Sequence, residues 1–558
     1  MPKVAALSKR QASIPPPSLV ATKSLSVSFY KMNLNDLPRA IQHEGGLSRR
    51  LFLAYAASLS SIPLLSRYAS AAPAHNFTSD PFTLGVASGD PDHESVVLWI
   101  RLAPKPLEPG GGMPKAPVEV HWELAEDRSF KKIVQSGKIN ATPELGHSVH
   151  IEPKGLKSDH WFFYRFKSGG ATSATGRART LPAPDASPDK LRFAVTSCQN
   201  FEQGLFTAYQ QMAADQPDFV FHLGDYIYEY SGRDGRIRKH HGPEIETLDQ
   251  YRSRYAQYRT DKDLQNMHAA CPWFLTWDDH EFDNNCANDI SEEKNVKPAE
   301  FLIRRANAYQ AYYEMMPLRT SSLPVGPQMS LYRKGNFGTL AEFFVLDTRQ
   351  YRTDQPNGDK KSPLNAEALN PRNSLLGMDQ RKWLFDSLNN SQGTWNILAQ
   401  QVMMALVDRA KPKSPAIYSM DQWPGYAHER ALLLKHLRDH KIKNPVVLTG
   451  DIHSNWANEL RVDDFKPEQD IIATEFVSTS LSSNGNGPTE TPGLDEYLAR
   501  NPCTKFFNRE RGYIMCDVTP KTYTADYKVI AEIEKPGGKT ISRAKFTVEA
   551  GTPKIHQA

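Results

Sequence analysis

Residues 219–228 read Phe-Val-Phe-His-Leu-Gly-Asp-Tyr-Ile-Tyr. The first five make a short, mostly apolar run of strand type. Gly224 closes it, and Asp225 and Tyr228 follow on the loop. The same arrangement recurs along the chain. Leu191-Arg-Phe-Ala-Val-Thr-Ser197 is a short strand of buried type that runs into Cys198-Gln199-Asn200. Trp273-Phe-Leu-Thr-Trp277 runs into Asp278-Asp279-His280-Glu281, and Pro445-Val-Val-Leu-Thr449 runs into Gly450-Asp451-Ile452-His453. Phe343–Asp347 and Trp395–Ala399 continue the series. Residues 204–214 and 428–439 carry helical patterns between strands. Strand–helix–strand repetition predicts an α/β or α+β layered core.

Upstream the pattern is different. Ser95–Leu102, Val118–Leu124 and His160–Lys167 read as strands, separated by turn signals at Gly89-Asp90-Pro91 and Gly110-Gly111-Gly112. A small all-β sandwich of immunoglobulin or fibronectin type fits residues 78–183. The proline-rich stretch Leu181–Pro188 marks its boundary. The expected division is a leader over 1–72, the all-β domain over 78–183, a catalytic domain over 190–535 and a C-terminal tail over 536–558.

The leader carries its own signal. Ser48-Arg-Arg-Leu-Phe-Leu53 precedes an apolar stretch to Leu65, followed by the small-x-small site Ala69-Ser70-Ala71. That stretch is shorter than a membrane span. Paired arginines before a modest apolar region are similar to a twin-arginine signal peptide. The expectation is export through the twin-arginine machinery, with a mature protein that does not span the membrane and acts in the periplasm or outside the cell. Passengers of that route cross folded, so a cofactor would be loaded beforehand.

Bulk properties remove several classes. Among 558 residues, 67 are basic and 63 acidic, a net charge of +4. No basic stripe marks a nucleic-acid binder. Hydrophobic residues make up 39%, enough for a sizeable core. The five cysteines form no C-x-x-C pair, so a structural zinc knuckle is not expected, and their odd number leaves one sulfur outside any internal disulfide.

The strand ends supply what phosphate-ester hydrolysis requires. Two metals about 3.5–4 Å apart can clamp the attacking and leaving oxygens. Such a pair needs a bridging carboxylate, a role Asp225 can fill. It also benefits from an imidazole that is no ligand but donates to developing charge, a role for His280. A thiolate, a phenolate and an imidazole, from Cys198, Tyr228 and His453, suit ferric iron. The oxygen donors of Asp279 and Asp451 suit Ca2+, with Mn2+ or Mg2+ as alternatives. Metal-held thiolate at Cys198 would account for the odd sulfur. Taken singly, each motif has an ordinary reading as a strand-ending turn or a buried residue. Their joint order is what points to chemistry.

The ordered set Ser-Cys-Gln, Gly-Asp-Tyr-Ile-Tyr, Trp-Asp-Asp-His-Glu and Gly-Asp-Ile-His resembles the PhoD-type alkaline phosphatases. Gly85–Pro91 with Val97–Arg101, Asp249–Tyr255 and Leu346–Arg352 are similar to further segments of that family, so the resemblance spans nearly all of 80–530. It implies a metallophosphoesterase-like β-sandwich core with flanking helices. It implies hydrolysis of phosphate monoesters, and of diesters, with a metal-activated water for phosphate acquisition, and a centre of Fe3+ with Ca2+. By the same resemblance Cys198, Tyr228 and His453 hold iron, Asp225 bridges, and Asp279 and Asp451 face calcium. Further metal or phosphate contacts are expected among Asn200, Asp278, Glu281 and Asn284. Arg349 or Arg352 is expected to hold phosphate. A middle histidine of related enzymes is replaced by Gln400 or Gln401. One departure stands in Asp421-Gln-Trp-Pro-Gly-Tyr426, where the family pattern has Asp in place of Pro424; the segment is placed away from the ligands, against substrate.

Other readings compete. An exported phosphodiesterase or phospholipase D-like enzyme keeps the same fold. A non-catalytic cell-surface binding protein would need a degenerate site, against the intact ligand set. A zinc hydrolase of another type lacks its His-rich spacing.

Overall fold

The computed structural model describes residues 76–558. The leader and its twin-arginine motif lie outside the described residues. Among those described, no helix is long and apolar enough to cross a membrane.

Two sheets form the core. The first has ten strands in the order Thr552–Gln557, Thr540–Glu549, Thr522–Ile530, Arg511–Val518, Leu191–Thr196, Phe219–Leu223, Trp273–Thr276, Val86–Gly89, Val97–Arg101 and Ser148–Ile151. The second has seven, in the order Arg333–Phe337, Ala341–Val345, Trp395–Ala399, Pro445–Thr449, Ala473–Val477, Asn455–Leu460 and Thr504–Asn508. Alternation along the strands explains how they pack. Phe193, Val195, Phe219 and Phe221 of the first sheet meet Phe343, Val345, Ile397 and Leu448 of the second in one buried cluster. Phe343 sits 5.3 Å from Phe219 and 5.5 Å from Phe221, edge to face, as aromatic quadrupoles prefer.

The residues between these point the other way and bury helices. Ala194, Val220 and Leu275 pack under Tyr209 and Met212 of helix Ala208–Ala214 and Tyr255 of helix Leu248–Arg259. Phe344, Leu398 and Val447 pack under Leu384 of helix Gly377–Asn389 and Leu434 of helix Ala427–Asp439. The result is a β-sandwich covered by helices on both outer faces, as the strand–helix repetition predicts.

The amino-terminal segment is all-β apart from short 3-10 turns. Five strands form a separate sheet around Val118–Ala125 and Trp161–Ser168. Three more extend the ten-stranded sheet, with Gly89 beside Trp273. Residues 536–558 differ from expectation. They are no tail, because Thr540–Glu549 and Thr552–Gln557 pair in the ten-stranded sheet and Val548 and Ile555 are buried in the core. All five cysteines are free and buried, so none pairs.

Strand direction positions the site. Leu191–Thr196, Phe219–Leu223 and Trp273–Thr276 run parallel. So do Ala341–Val345, Trp395–Ala399, Pro445–Thr449 and Ala473–Val477. The loops after these strands meet at the carboxyl end of the sandwich, where open α/β sheets hold their ligands.

Candidate metal centre

Each candidate ligand leaves a rigid strand within a few residues of its end. Cys198 follows Leu191–Thr196, Asp225 follows Phe219–Leu223, and Asp451 and His453 follow Pro445–Thr449. Their backbones share an unusual feature. Cys198 (φ 57°), Asp225 (φ 54°), Asp451 (φ 63°) and His453 (φ 54°) all adopt left-handed conformations. A non-glycine residue there costs about 1–3 kcal/mol and persists only where the surroundings over-determine it, typically at functional sites.

The turns converge the side chains into three overlapping groups, within each of which the donor atoms lie within 4.8 Å of one another. Cys198, Asp225 and His453 form one, Asp225, Asp279 and His280 a second, and Asp278, Asp279 and Asp451 a third. Asp225 joins the first two. Tyr228 belongs to the first by contact: its hydroxyl donates to Asp225 Oδ2 at 2.8 Å and lies 3.2 Å from His453 Nε2. Ser483 Oγ donates to the same hydroxyl at 2.6 Å. Asn484 Nδ2 meets His453 Nδ1 at 2.9 Å, which aims Nε2 toward Asp225, 4.0 Å away.

The electrostatics call for a cation. Buried Asp225 Oδ1, Asp278 Oδ2 and Asp279 Oδ1 have no hydrogen-bond partner. Orphaned buried carboxylate oxygens are costly unless a metal takes them. Burial pushes Asp278 well above the usual carboxylate range and Asp451 up to about 7, against the pull of Arg349. Burial, with Asp225 nearby, also pushes the Cys198 thiol and the Tyr228 phenol far up. Only a bound cation would hold these two as anions at neutral pH. The donor set therefore fits metal ions: S, N and phenol oxygen on one side, carboxylates on the other.

His280 is oriented by a residue the sequence reading passed over. Its Nδ1 lies 2.7 Å from Glu229 Oε2, and its ring packs on Tyr228 at 4.2 Å between centroids. Burial disfavours its charged form, but Glu229, Asp225 and Asp279 outweigh that and hold it protonated well above its ordinary range. Nε2, the other ring nitrogen, takes no part in the Glu229 bond, and His280 lines a cavity of about 210 Å³ together with Asn200, Tyr228, Tyr230 and His453.

Several expected contacts lie elsewhere. Arg349 does not face that cavity. Fully buried, it bonds Asp278, donates to Asp421 at 2.9 and 3.0 Å and to Asp451 at 3.2 Å, and lies 3.5 Å from Asp279. Four hydrogen bonds commit it to the carboxylates of Asp278, Asp421 and Asp451. Arg352 is likewise buried, on Asp421 and the carbonyls of Asn285 and Cys286. Glu281 accepts the backbone N–H groups of Asp225, Tyr226 and Asp278, so it braces two ligand loops from behind. Asn284 turns away to Glu292. Gln400 and Gln401 are both used up on Thr449, Thr276, Thr348 and neighbouring backbone. The segment 421–426 is not remote from the ligands: Asp421 clasps Arg349 and Gln422 Nε2 donates to Asp451 at 2.9 Å. Pro424 stands in a 3-10 turn, Trp423–Tyr426, that holds these two in place.

Comparison with known proteins agrees over nearly the full length. The family model described as PhoD-like phosphatase matches residues 193–527, and the one described as its N-terminal domain matches 68–182. Alkaline phosphatase D of Bacillus subtilis (strain 168) is 48% identical over 535 residues, covering 94% of this chain and 90% of that protein. A solved structure of PhoD superposes with a TM-score of 0.84 at 49% identity, covering 87% of this chain and 93% of that one.

Proposed function

The chain belongs to the PhoD-like phosphatase family, and from that premise we propose that the strand-end cluster is a two-metal hydrolytic centre acting on phosphate monoesters and diesters. The enzyme is a phosphatase, a hydrolase of phosphoric ester bonds. The observation that carries the proposal is the set of orphaned buried oxygens on Asp225, Asp278 and Asp279 beside Cys198 and His453.

In this reading Cys198, Tyr228 and His453 would hold ferric iron, with Asp225 beside them. Asp279 and Asp451, with Asp278 beside them, would hold Ca2+, with Mn2+ or Mg2+ as the alternatives. Bound metals would supply a lowered water pKa and neutralise phosphoryl charge. The protein's residues do the rest. The cavity walls orient the ester. Hydrolysis adds one water oxygen to phosphorus and breaks the ester P–O bond, and the leaving alkoxide must take up a proton. His280, kept protonated by Glu229, holds a proton at Nε2 for that charge. Arg349 is a positioning residue that keeps Asp278, Asp421 and Asp451 in register. Export through the twin-arginine machinery, with work outside the cytoplasmic membrane to acquire phosphate, belongs to the same proposal. So does the division into leader, all-β domain and a catalytic domain, now running to the C-terminal strands.

The test is hydrolysis of 4-nitrophenyl phosphate and bis(4-nitrophenyl) phosphate by metal-loaded protein at alkaline pH. The expected result is turnover of the monoester, cut by at least about 100-fold in Asp225→Ala, with the diester rate setting the balance between the two activities. Metal-loaded protein inactive on both esters would overturn the reading and favour a binding protein.

A further inference from the structure

Helix Leu248–Arg259 buries three polar side chains, Tyr251, Arg254 and Tyr258. Spacings of three and four residues place them on one face. Each bonds the backbone of a loop that carries candidate ligands. The Tyr251 hydroxyl donates to the Phe282 carbonyl at 2.8 Å, in the loop of Asp279 and His280. Arg254 donates to the Tyr228 carbonyl and, at 2.9 Å, to that of Tyr230. The Tyr258 hydroxyl accepts the N–H of Tyr228 and that of Phe201, each at 3.1 Å. Phe201 lies three residues past Cys198.

The Tyr258 hydroxyl is used completely. Its two lone pairs take the two N–H groups, so its own proton goes to His240 Nε2, 3.0 Å away. His240 is then the neutral tautomer that carries its proton on Nδ1, and it donates that proton to the Tyr230 carbonyl at 3.1 Å. Burial, with Arg254 nearby, pushes the His240 pKa down to about 3, in keeping with a neutral ring. The imidazole is itself held, because buried Glu202 accepts the His240 backbone N–H at 2.9 Å. Tyr228 is therefore gripped on both sides of its own Cα. Tyr258 takes its N–H and Arg254 its carbonyl, from positions about one helical turn apart.

Such a face is unfavourable for the helix alone, since it buries a guanidinium and two hydroxyls where an apolar stripe would serve packing. What it achieves is registration. The loops after Leu191–Thr196, Phe219–Leu223 and Trp273–Thr276 are far apart in sequence. Their donor atoms must nevertheless meet to within about 0.2 Å of the distances a metal requires. Resting on the metal-centre reading, we propose that Tyr258 and Arg254, with Tyr251, are positioning residues. One helix face clamps the backbones of three ligand loops, and above all fixes the Tyr228 phenol against Asp225 and His453. These residues act through backbone, so their loss alters how tightly metal is held without removing a ligand.

The test compares Tyr258→Phe and Arg254→Lys with the wild type. Lysine keeps the buried charge but cannot span the carbonyls of Tyr228, Tyr230 and Pro243 together. Tyr523→Phe is the control: it also removes a buried hydroxyl contact, to Cys516 Sγ at 3.2 Å, but within the inter-sheet cluster. Metal-loaded proteins are challenged with excess EDTA and the retained metal is followed with time, while kcat and KM are measured on 4-nitrophenyl phosphate. The expected result for both clamp variants is metal loss about tenfold faster and kcat about tenfold lower, with KM within about twofold of the wild type. The control should match the wild type in all three. Clamp variants that keep metal as the wild type does, or a control that loses it as fast as they do, overturn the clamp. A wild type that binds no metal overturns the metal-centre reading and the clamp with it.

Discussion

Glu229 and Arg349 act through other residues, and each makes a separable prediction. Glu229→Gln removes the charge that holds the His280 proton. It should lower kcat by about 10–100-fold, the usual effect of losing an orienting partner. The sign on pH follows. His280 loses a stabilising anion, its pKa falls, and the alkaline limb of the kcat/KM profile moves to lower pH. An unmoved limb in the variant would show that His280 titration does not govern the rate. Arg349→Met leaves Asp278, Asp421 and Asp451 without their common cation. Breaking a buried pair costs about 3–5 kcal/mol, and denaturant unfolding of metal-free protein should show a loss of that size. The candidate ligands are legible as residues, because each follows a recognisable strand. Glu229 is not, since a glutamate two residues past Ile227 has no motif of its own. Nor is Asp421, whose partner Arg349 is supplied from a distant loop.

Strand ends are the element on which the site depends, and Gly224 is the tightest of them. It sits at φ 105°, and a Cβ there would come within 2.4 Å of the Asp278 Cβ. Gly224→Ala should cost about 1–3 kcal/mol in stability and displace Asp225 from Asp279, so activity should fall further than stability does. Comparing thermal unfolding with turnover checks this; a variant as active as the wild type would contradict the proposed convergence. The strands leading to these turns read clearly because their runs are short and apolar. The helices read less well. Leu248–Arg259 begins with a capping box at Thr247 and Gln250, a signal present in the sequence, but its Arg254 and Arg259 are buried and blur any apolar stripe. Pro298–Met315 buries Arg305, Asn307, Gln310 and Glu314 alongside its tyrosines, for the same result. The two final strands are hard to read because Ile541 and other outward residues leave the alternation weak, and of their residues Phe546, Val548 and Ile555 reach the core.

The whole molecule is a sandwich whose metal-free form carries too many buried acids at one end. Burial and neighbouring carboxylates raise Glu281 to about 8, and burial raises Asp451 to about 7. A carboxyl with a raised folded pKa holds its proton longer folded than unfolded. Its contribution is complete below the unfolded carboxylate range and is lost as pH rises toward these values. Metal-free protein should therefore lose thermal stability between pH 5 and 8, whereas metal-loaded protein should not, because the cation replaces the protons. Calorimetry with and without chelator tests this, and parallel curves would contradict it. Between the two sheets the buried aromatic cluster sustains the fold: Phe343→Ala should cost about 3–5 kcal/mol, with no direct effect on metal content.

In the proposed reading four strand ends assemble one metal centre, with sulfur, phenolate and imidazole on one side and carboxylates on the other. Metal analysis with a visible spectrum, on protein exported with its own leader, tests it most directly. The expected result is close to one iron per chain together with calcium, and a visible charge-transfer band that disappears in Tyr228→Phe or Cys198→Ala. Zinc in place of iron, or folded and active protein without bound metal, would contradict it.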